Sequence, residues 1–570
     1  MRDTLIAQVA RWARETPGAP AYTFVDHLGD GSRRTLTWRQ ADLKARALAV
    51  RLRELAGPGD RAAVLAPQGL DYVVAMLGTM YARLVAVPLF APGLPGHAER
   101  LTGAYADADP MIVLTTTAAL PGVTDFLAAA QAPKHVITVD TVSDLLADEC
   151  EWAPEHVRPD DLAYLQYTSG STRAPAGVEI THANLTANAA QLWEVFEARP
   201  ATSVAVLWLP LFHDMGLVAT VAMPMMGGNQ AVFMDPVAFV MSPVRWLRLL
   251  SEFGEVFTGG PNFAYEYTAA RVSEADKAGL DLSGVRVMLN GAEPVRPGAI
   301  AAFDAAFAGH GLRPEAHTPA YGLAEATVFV AAMGRGERPL VTGFDRDALR
   351  EGHAVPHTGR GARSLLVSCG RPHGQHVRVA GEDGRALPDG EVGEIRVQGP
   401  NVARAYWRDP ARSAEVFGAV LDGVDGTWLR TGDLGVLHDG HLYITGRIKD
   451  LIIVDGRNHY PQDVEATVQE AHRAVRRDRV AAFAVPGEET ERLVVVAECS
   501  RDFLQRGVEA DGEEVARAVR VAVRKYHDLS VHDFVLTEPG AVPRTSSGKI
   551  ARRACLRAYL EGALTRAEAG

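Results

Sequence analysis

Between Tyr164 and Gly177 the chain reads Tyr-Leu-Gln-Tyr-Thr-Ser-Gly-Ser-Thr-Arg-Ala-Pro-Ala-Gly, a strand-like start that gives way to a loop crowded with hydroxyls and glycines. Backbone N–H groups freed by Gly170 and Gly177, with the hydroxyls of Thr168, Ser169, Ser171 and Thr172, can surround phosphate oxygens at close range, as anion-binding nests do. That chemistry suits a polyphosphate; an ordinary polar loop is the alternative reading of this segment alone. No G-x-x-x-x-G-K-[ST] string occurs, and Gly548-Lys549 is followed by Ile550, so the loop is not of the kinase or motor-ATPase type that releases ADP and phosphate.

Further segments follow in order and at long separations: Asn290-Gly-Ala-Glu-Pro294, Tyr321-Gly-Leu-Ala-Glu325, Arg430-Thr-Gly-Asp433, Gly446-Arg-Ile-Lys-Asp450 and Pro543-Arg-Thr-Ser-Ser-Gly-Lys549. Together they resemble the motif series of the adenylate-forming superfamily of acyl-CoA synthetases, luciferases and peptide-synthetase adenylation domains, over about residues 20 to 560. The resemblance implies ATP-dependent activation of a carboxylic acid as an acyl adenylate, with release of pyrophosphate. Such a reaction joins two anions, so positive charge has to converge where they meet.

The resemblance also implies roles. Lys549 bridges the acyl carboxylate and the α-phosphate; Asp433 accepts hydrogen bonds from the ribose hydroxyls, a task suited to its paired oxygens. Arg447 holds ribose or phosphate, Tyr321 beside Gly322 offers adenine a flat face, and Asn290, Gly291, Ala292 and Glu293 pack along the base. Glu325 is the Mg²⁺ contact, since that ion binds through one or two carboxylates plus substrate phosphates. His213 lies at the family position near the acyl carboxylate, and a structural histidine is the rival reading. Asp450 is the hinge about which a small domain swings between adenylation and transfer. Ala324 departs from the superfamily, where a Thr often touches the nucleotide.

Within the superfamily the chain is most similar to fatty acyl-AMP ligases, on the strings Leu165 to Arg173, Leu209-Pro-Leu-Phe-His-Asp-Met-Gly-Leu217, Ser368-Cys-Gly-Arg-Pro372 and Gly456-Arg-Asn-His-Tyr-Pro-Gln-Asp463. Arg173 and Ala176 stand where other branches usually have Gly and Lys. The segment from about 343 to 367 matches the extra segment of those ligases, which is associated with poor CoA use and transfer to the phosphopantetheine arm of a holo acyl carrier protein. A fatty acid substrate is implied; no Phe-Asp-x-Ser string is present to hold an amino group, and Met215 to Met226 is apolar enough to line an alkyl tunnel, or equally to be core. A fatty acyl-CoA ligase and a non-catalytic lipid- or nucleotide-binding descendant are the competing readings.

The elements that must position these residues are legible in outline. Helical patterns such as Trp38 to Leu55 alternate with apolar runs such as Ala62 to Leu65, Met111 to Leu114 and His135 to Val139, the signature of βαβ units. Beyond residue 370, short strands such as His376 to Ala380 and His441 to Thr445 mark a small β-rich module. From Leu451, strands alternate with helices (Gln462 to His472, Glu513 to Tyr526). The fold class is therefore α/β, with a large N-terminal domain over 1–449 and a small, mobile α+β C-terminal domain over 450–570.

A first surface helix is expected over Met1 to Trp12, and a buried helix followed by a strand over Tyr72 to Phe90, where Arg83 and Pro88 argue against a membrane span. The formal charge of −12 disfavours nucleic acid and anionic lipid, although the arginines at 473, 476, 477 and 479 form a local patch that could steer an acidic carrier protein. Four dispersed cysteines without a C-x-x-C pair fit a reducing cytoplasm.

Overall fold

The computed structural model describes residues 4–93, 98–149, 156–168, 175–359, 362–454, 457–487, 491–500, 512–545 and 549–567. Two large sheets form the N-terminal part. In one, strands His135–Thr138, Ile112–Thr115, Arg61–Val64, Val85–Pro88, Leu162–Tyr167 and Gly177–Thr181 lie side by side, parallel except for the last. The second is nine-stranded and includes Gln230–Met234, Val204–Leu207, Val256–Pro261, Val285–Gly291 and His317–Tyr321, all parallel. Strands covered on both faces read as continuous apolar runs, which is why Ala62 to Leu65 and Met111 to Leu114 stand out in the sequence.

Local chemistry fixes the helix starts. Thr37 caps helix Trp38–Arg53 by accepting from the Gln40 N–H while the Gln40 side chain accepts from the Thr37 N–H, and Thr181 and Asn184 make the same reciprocal pair ahead of helix His182–Val195. Helix Leu70–Tyr81 is buried except at Asp71 and leads into Val85–Pro88, as the sequence indicates. The first helix runs over Leu5–Glu15 and is a correction: residues Leu5 to Ala10 are buried, and Trp12 Nε1 donates to the Met225 carbonyl at 2.7 Å. It is docked at its start, not surface-borne.

Strands Gly393–Gln398, Val424–His438 and His441–Arg447 form the core of an antiparallel module after residue 370. Downstream, Val475–Val485, Arg492–Cys499 and Val531–Thr537 build a three-stranded sheet with its own two-sided core. Val480 and Ala482 pack with Val464, Val515, Val519 and Val523 of helices Pro461–Ala471 and Gly512–His527. Ala481, Phe483 and Val485 face the other way, onto Cys555 of helix Arg552–Leu560. This period-two division is what a half-helical, half-stranded texture from Leu451 onward requires. Among the described residues, no helix is long and apolar enough to cross a membrane.

Candidate active site

Parallel strands present their carboxyl ends to ligands, and here Val256–Pro261, Val285–Gly291 and His317–Tyr321 end together, with Gly260 beside Asn290 and Asn290 beside Pro319. These strand ends and the turns that follow hold Asn290, Gly291, Ala292, Glu293, Tyr321, Gly322 and Glu325. Asn290 is fully buried and Gly291 lies against the Ala320 carbonyl, where an added Cβ would come within 3.1 Å. Ala292 adopts φ +67°, a left-handed conformation that L side chains rarely take and that persists only where neighbours enforce it. Glu293 accepts from the Phe263 N–H at 2.9 Å, and burial raises its pKa.

A second wall comes from the antiparallel module. Register places Asp433 directly opposite Arg447 on adjacent strands, and Arg447 Nε meets Asp433 Oδ1 at 3.0 Å. The Tyr321 hydroxyl donates to Asp433 Oδ2 at 2.7 Å. Tyr321 and Asp433 are buried and Arg447 is half-exposed, so the triad shows one guanidinium face to solvent. The Asp433 carboxylate raises the Arg447 pKa above its ordinary value. Each carboxylate oxygen retains acceptor capacity beyond these bonds, enough for two hydroxyls. Gly322, next to Tyr321, cannot carry a side chain, because a Cβ would collide with the Val328 carbonyl.

The third wall belongs to the C-terminal sheet. Lys549 lies in the loop between Val531–Thr537 and Arg552–Leu560, where its N–H donates to Thr545 Oγ1 (3.1 Å) and the Thr545 N–H donates to its carbonyl (2.9 Å). Burial, then Arg447, lowers the Lys549 pKa, while Asp214, Glu293 and Asp433 pull it upward. One ammonium thus sits in the field of three carboxylates and a guanidinium from the large domain. Arg544, on the same loop, stacks over the Phe263 ring at 5.6 Å. Arg296 joins Asp478 and Glu266 in a further bridge between the two parts.

Glu325 stands in the short helix Ala324–Ala326, and its Oε1 accepts from the Tyr406 hydroxyl at 2.7 Å. No group of three or more His, Cys, Asp or Glu able to hold a metal occurs among the described residues. A single carboxylate such as that of Glu325 meets the demand of Mg²⁺ only with phosphate and water oxygens completing the shell. His213 caps helix Asp214–Leu217, with its ring 4.7 Å from that of Phe212. Asp450 lies in the turn Ile448–Asp450, where its Oδ2 accepts from Arg552 Nη1 at 3.3 Å; Arg552 also grips Glu465 through two bonds. Thr168 follows the strand Leu162–Tyr167. Ser169, Gly170, Ser171 and Thr172 lie outside the described residues.

Sequence reading passed over four participants. Asp214 follows His213 and has its pKa raised by burial, offset in part by the Met215 N–H and by Lys549. Tyr406 and the Arg296–Asp478 pair also went unread; their partners lie 81 and 182 residues away, and no local signal marks them. The arginine patch is mostly compensated, since Arg476 and Arg479 face Glu498 and Arg477 faces Glu470. Met215 to Met226 is largely core: Val218, Val221, Ala222, Met223 and Met225 are all buried.

Residues 9–407 match the AMP-binding enzyme family, and residues 449–569 match the family described as "Disco-interacting protein 2-like, AMP domain". The long-chain-fatty-acid–AMP ligase FadD32 of Mycolicibacterium smegmatis is 42% identical over 99% of this chain and 95% of its own. The long-chain-fatty-acid–AMP ligase FadD26 of Mycobacterium bovis is 42% identical over 96% of this chain and 95% of its own. A crystal structure of the fatty acyl-adenylate ligase from Legionella pneumophila in complex with acyl adenylate and pyrophosphate superposes with a TM-score of 0.76, at 34% identity over 98% of this chain and 96% of that one.

Proposed function

Because the chain belongs to the AMP-binding enzyme family and, within it, to the fatty acyl-AMP ligases, we propose that it activates a long-chain fatty acid with Mg·ATP and passes the acyl group to a carrier-protein thiol. The observation that carries the reading is the charge field at Lys549 of the small domain, in which Asp214, Glu293 and Asp433 oppose Arg447. A carboxylate oxygen of the fatty acid attacks the α-phosphorus, and the bond to the β,γ-diphosphate breaks. Pyrophosphate leaves with the electron pair, and acyl-AMP remains.

Lys549 offsets the repulsion between the two anions and the charge that builds on the α-phosphate oxygens. Asp433 takes the ribose hydroxyls, with its own geometry held by Tyr321 and Arg447; the purine lies between Tyr321 and the Asn290 to Glu293 turn. Glu325 would hold Mg²⁺, which neutralises the departing phosphates. His213 and Asp214 stand where the acyl carboxylate arrives. Transfer follows when the phosphopantetheine thiolate attacks the acyl carbonyl and AMP leaves.

The likeness to long-chain-fatty-acid–AMP ligases favours long-chain acids. The carrier protein as acceptor is supported by the segment Val341–Asp345 to Arg363–Val367, which forms a hairpin against the small domain: Arg346 Nη1 donates to the Tyr526 carbonyl at 2.8 Å, and Ser364 donates to Asp463 at 3.2 Å. A division at about residue 449, between separate cores, goes with this reading. The test is mass spectrometry of the adenylate formed from a mixed fatty-acid pool, followed by challenge with CoA and with holo carrier protein. Acyl-AMP that loads the carrier and leaves CoA free is expected; efficient acyl-CoA formation would assign the acceptor to CoA, and no adenylate would overturn the reading.

A further inference from the structure

The segment from Tyr321 to Val330 carries three candidate site residues, Tyr321, Gly322 and Glu325, without belonging to a long strand or helix. Its centre is strained. Thr327 adopts φ +66° and ψ −61°, and the Val328 N–H donates to the Ala326 carbonyl at 2.8 Å, closing a three-residue turn of the hand that β-branched residues avoid. Such a conformation survives only where its surroundings over-determine it.

The surroundings do so through side-chain amides from two distant parts of the chain. Thr327 Oγ1 donates to the Asn401 carbonyl at 2.7 Å, while Asn401 Nδ2 donates back to the carbonyls of Ala326 (3.1 Å) and Phe329 (2.9 Å). From helix His182–Val195, Asn188 brackets Phe329, donating to its carbonyl at 3.1 Å and accepting from its N–H at 3.2 Å. Thr327, Asn401 and Asn188 are each 0% exposed, so none of these bonds competes with water. The Ala403 N–H donates to the Glu325 carbonyl at 2.9 Å, tying the residue of interest to the strip that carries Asn401.

Resting on the reading of Glu325 as the Mg²⁺ contact, we propose that Thr327 and Asn401 are positioning residues: a buried hydroxyl–amide clamp holds the strained turn and thereby aims the Glu325 carboxylate at the metal-bound phosphates. Glu325 immediately precedes the turn, two residues before Thr327, with Tyr406 fixing its far end, so the backbone direction at Thr327 decides where the carboxylate points. Scaffolding alone would be served by a relaxed turn.

The experiment uses the full-length enzyme and titration calorimetry of ATP with Mg²⁺ and with EDTA, beside thermal melts. Thr327→Val keeps the branched shape and removes the donor; Thr327→Ser keeps the donor. We expect Thr327→Val to lose about tenfold of the affinity gained from Mg²⁺, the scale of one buried hydrogen bond, with the EDTA affinity unchanged within about twofold. Thr327→Ser should match the wild type within about twofold, and Asn401→Ala should follow Thr327→Val; the Thr327 pair decides the matter if Asn401→Ala fails to fold. A lowered melting temperature with an intact Mg²⁺ gain, or equal losses in Val and Ser, would overturn the clamp. Glu325→Gln, whose clamp is untouched, must abolish the Mg²⁺ gain; if it does not, the metal assignment fails and takes the inference with it.

Discussion

The two halves of the site are built differently. The large domain's half is a frame: Asp433 and Arg447 are paired by strand register, Tyr321 is bonded to the same carboxylate, and Gly322 is pressed against the Val328 backbone. The small domain's half is a single ammonium, its residue held by two bonds between Thr545 and Lys549. A frame of this kind suits ground-state binding, whereas a charge brought in by a separate domain suits the step that needs it. On the proposed function, the contrast gives nucleotide affinity to one half and chemical rate to the other.

The sharpest way to break that division is Lys549→Ala. Pyrophosphate release should fall by about a hundredfold or more, the scale of losing one preorganised charge, while ATP affinity by calorimetry stays within about threefold; a parallel loss of affinity would merge the two halves. Asp433→Asn should do the reverse, weakening ATP by about tenfold to a hundredfold through lost charge-assisted bonds, with a smaller change in single-turnover rate. Asp450→Pro stiffens the turn between the halves, and acyl transfer should drop by about tenfold more than adenylate formation; equal losses in single-turnover assays would show that the turn does not act as a pivot.

The pH profile of adenylation adds a subtler test. Burial and Arg447 lower the Lys549 pKa, so the active cation should be lost as pH rises through a value below the ordinary lysine 10.5. An alkaline limb there is expected in pyrophosphate-release assays, and a flat profile up to pH 10 would contradict it.

The smallest effect lies away from the chemistry, where the hairpin meets the small domain. Arg350 Nη2, which can only donate, bonds His527 Nδ1 at 3.4 Å, so the ring proton sits on Nε2 and faces Thr467 Oγ1 at 2.6 Å. Burial, then Arg346 and Arg350, pushes the His527 pKa down to about 3. A folded-state pKa below the unfolded value of about 6.5 contributes stability above that pH and loses it as pH falls toward 3. The melting temperature should therefore drop by about a few degrees more in wild type than in His527→Gln between pH 7 and 5.

How much was legible follows from the range of each signal. Alternating apolar runs and helical patterns are local, and the βαβ order and the α+β texture from Leu451 onward read directly from them. The motif residues were likewise legible as types, yet that Asp433 and Arg447 face each other depends on a hairpin register the sequence does not print. Asp214 lay in view beside His213, but its burial did not. Composition could not separate a tunnel from core at Met215 to Met226, nor show that Glu498 and Glu470 sit against Arg476, Arg479 and Arg477. At Leu5 to Ala10 an apolar helix face was visible and its docking partner was not.

The hairpin has one more consequence. Its root is pinned to the module through Thr342 and the Tyr443 hydroxyl at 2.8 Å, while Arg346, Arg350 and Ser364 reach across to Tyr526, His527 and Asp463. On the reading of Asp450 as a hinge, a rotation of the terminal lobe would leave the root behind and rupture those links together. Such a latch would set a threshold for turning over and lengthen the interval during which a finished adenylate is shielded from stray nucleophiles.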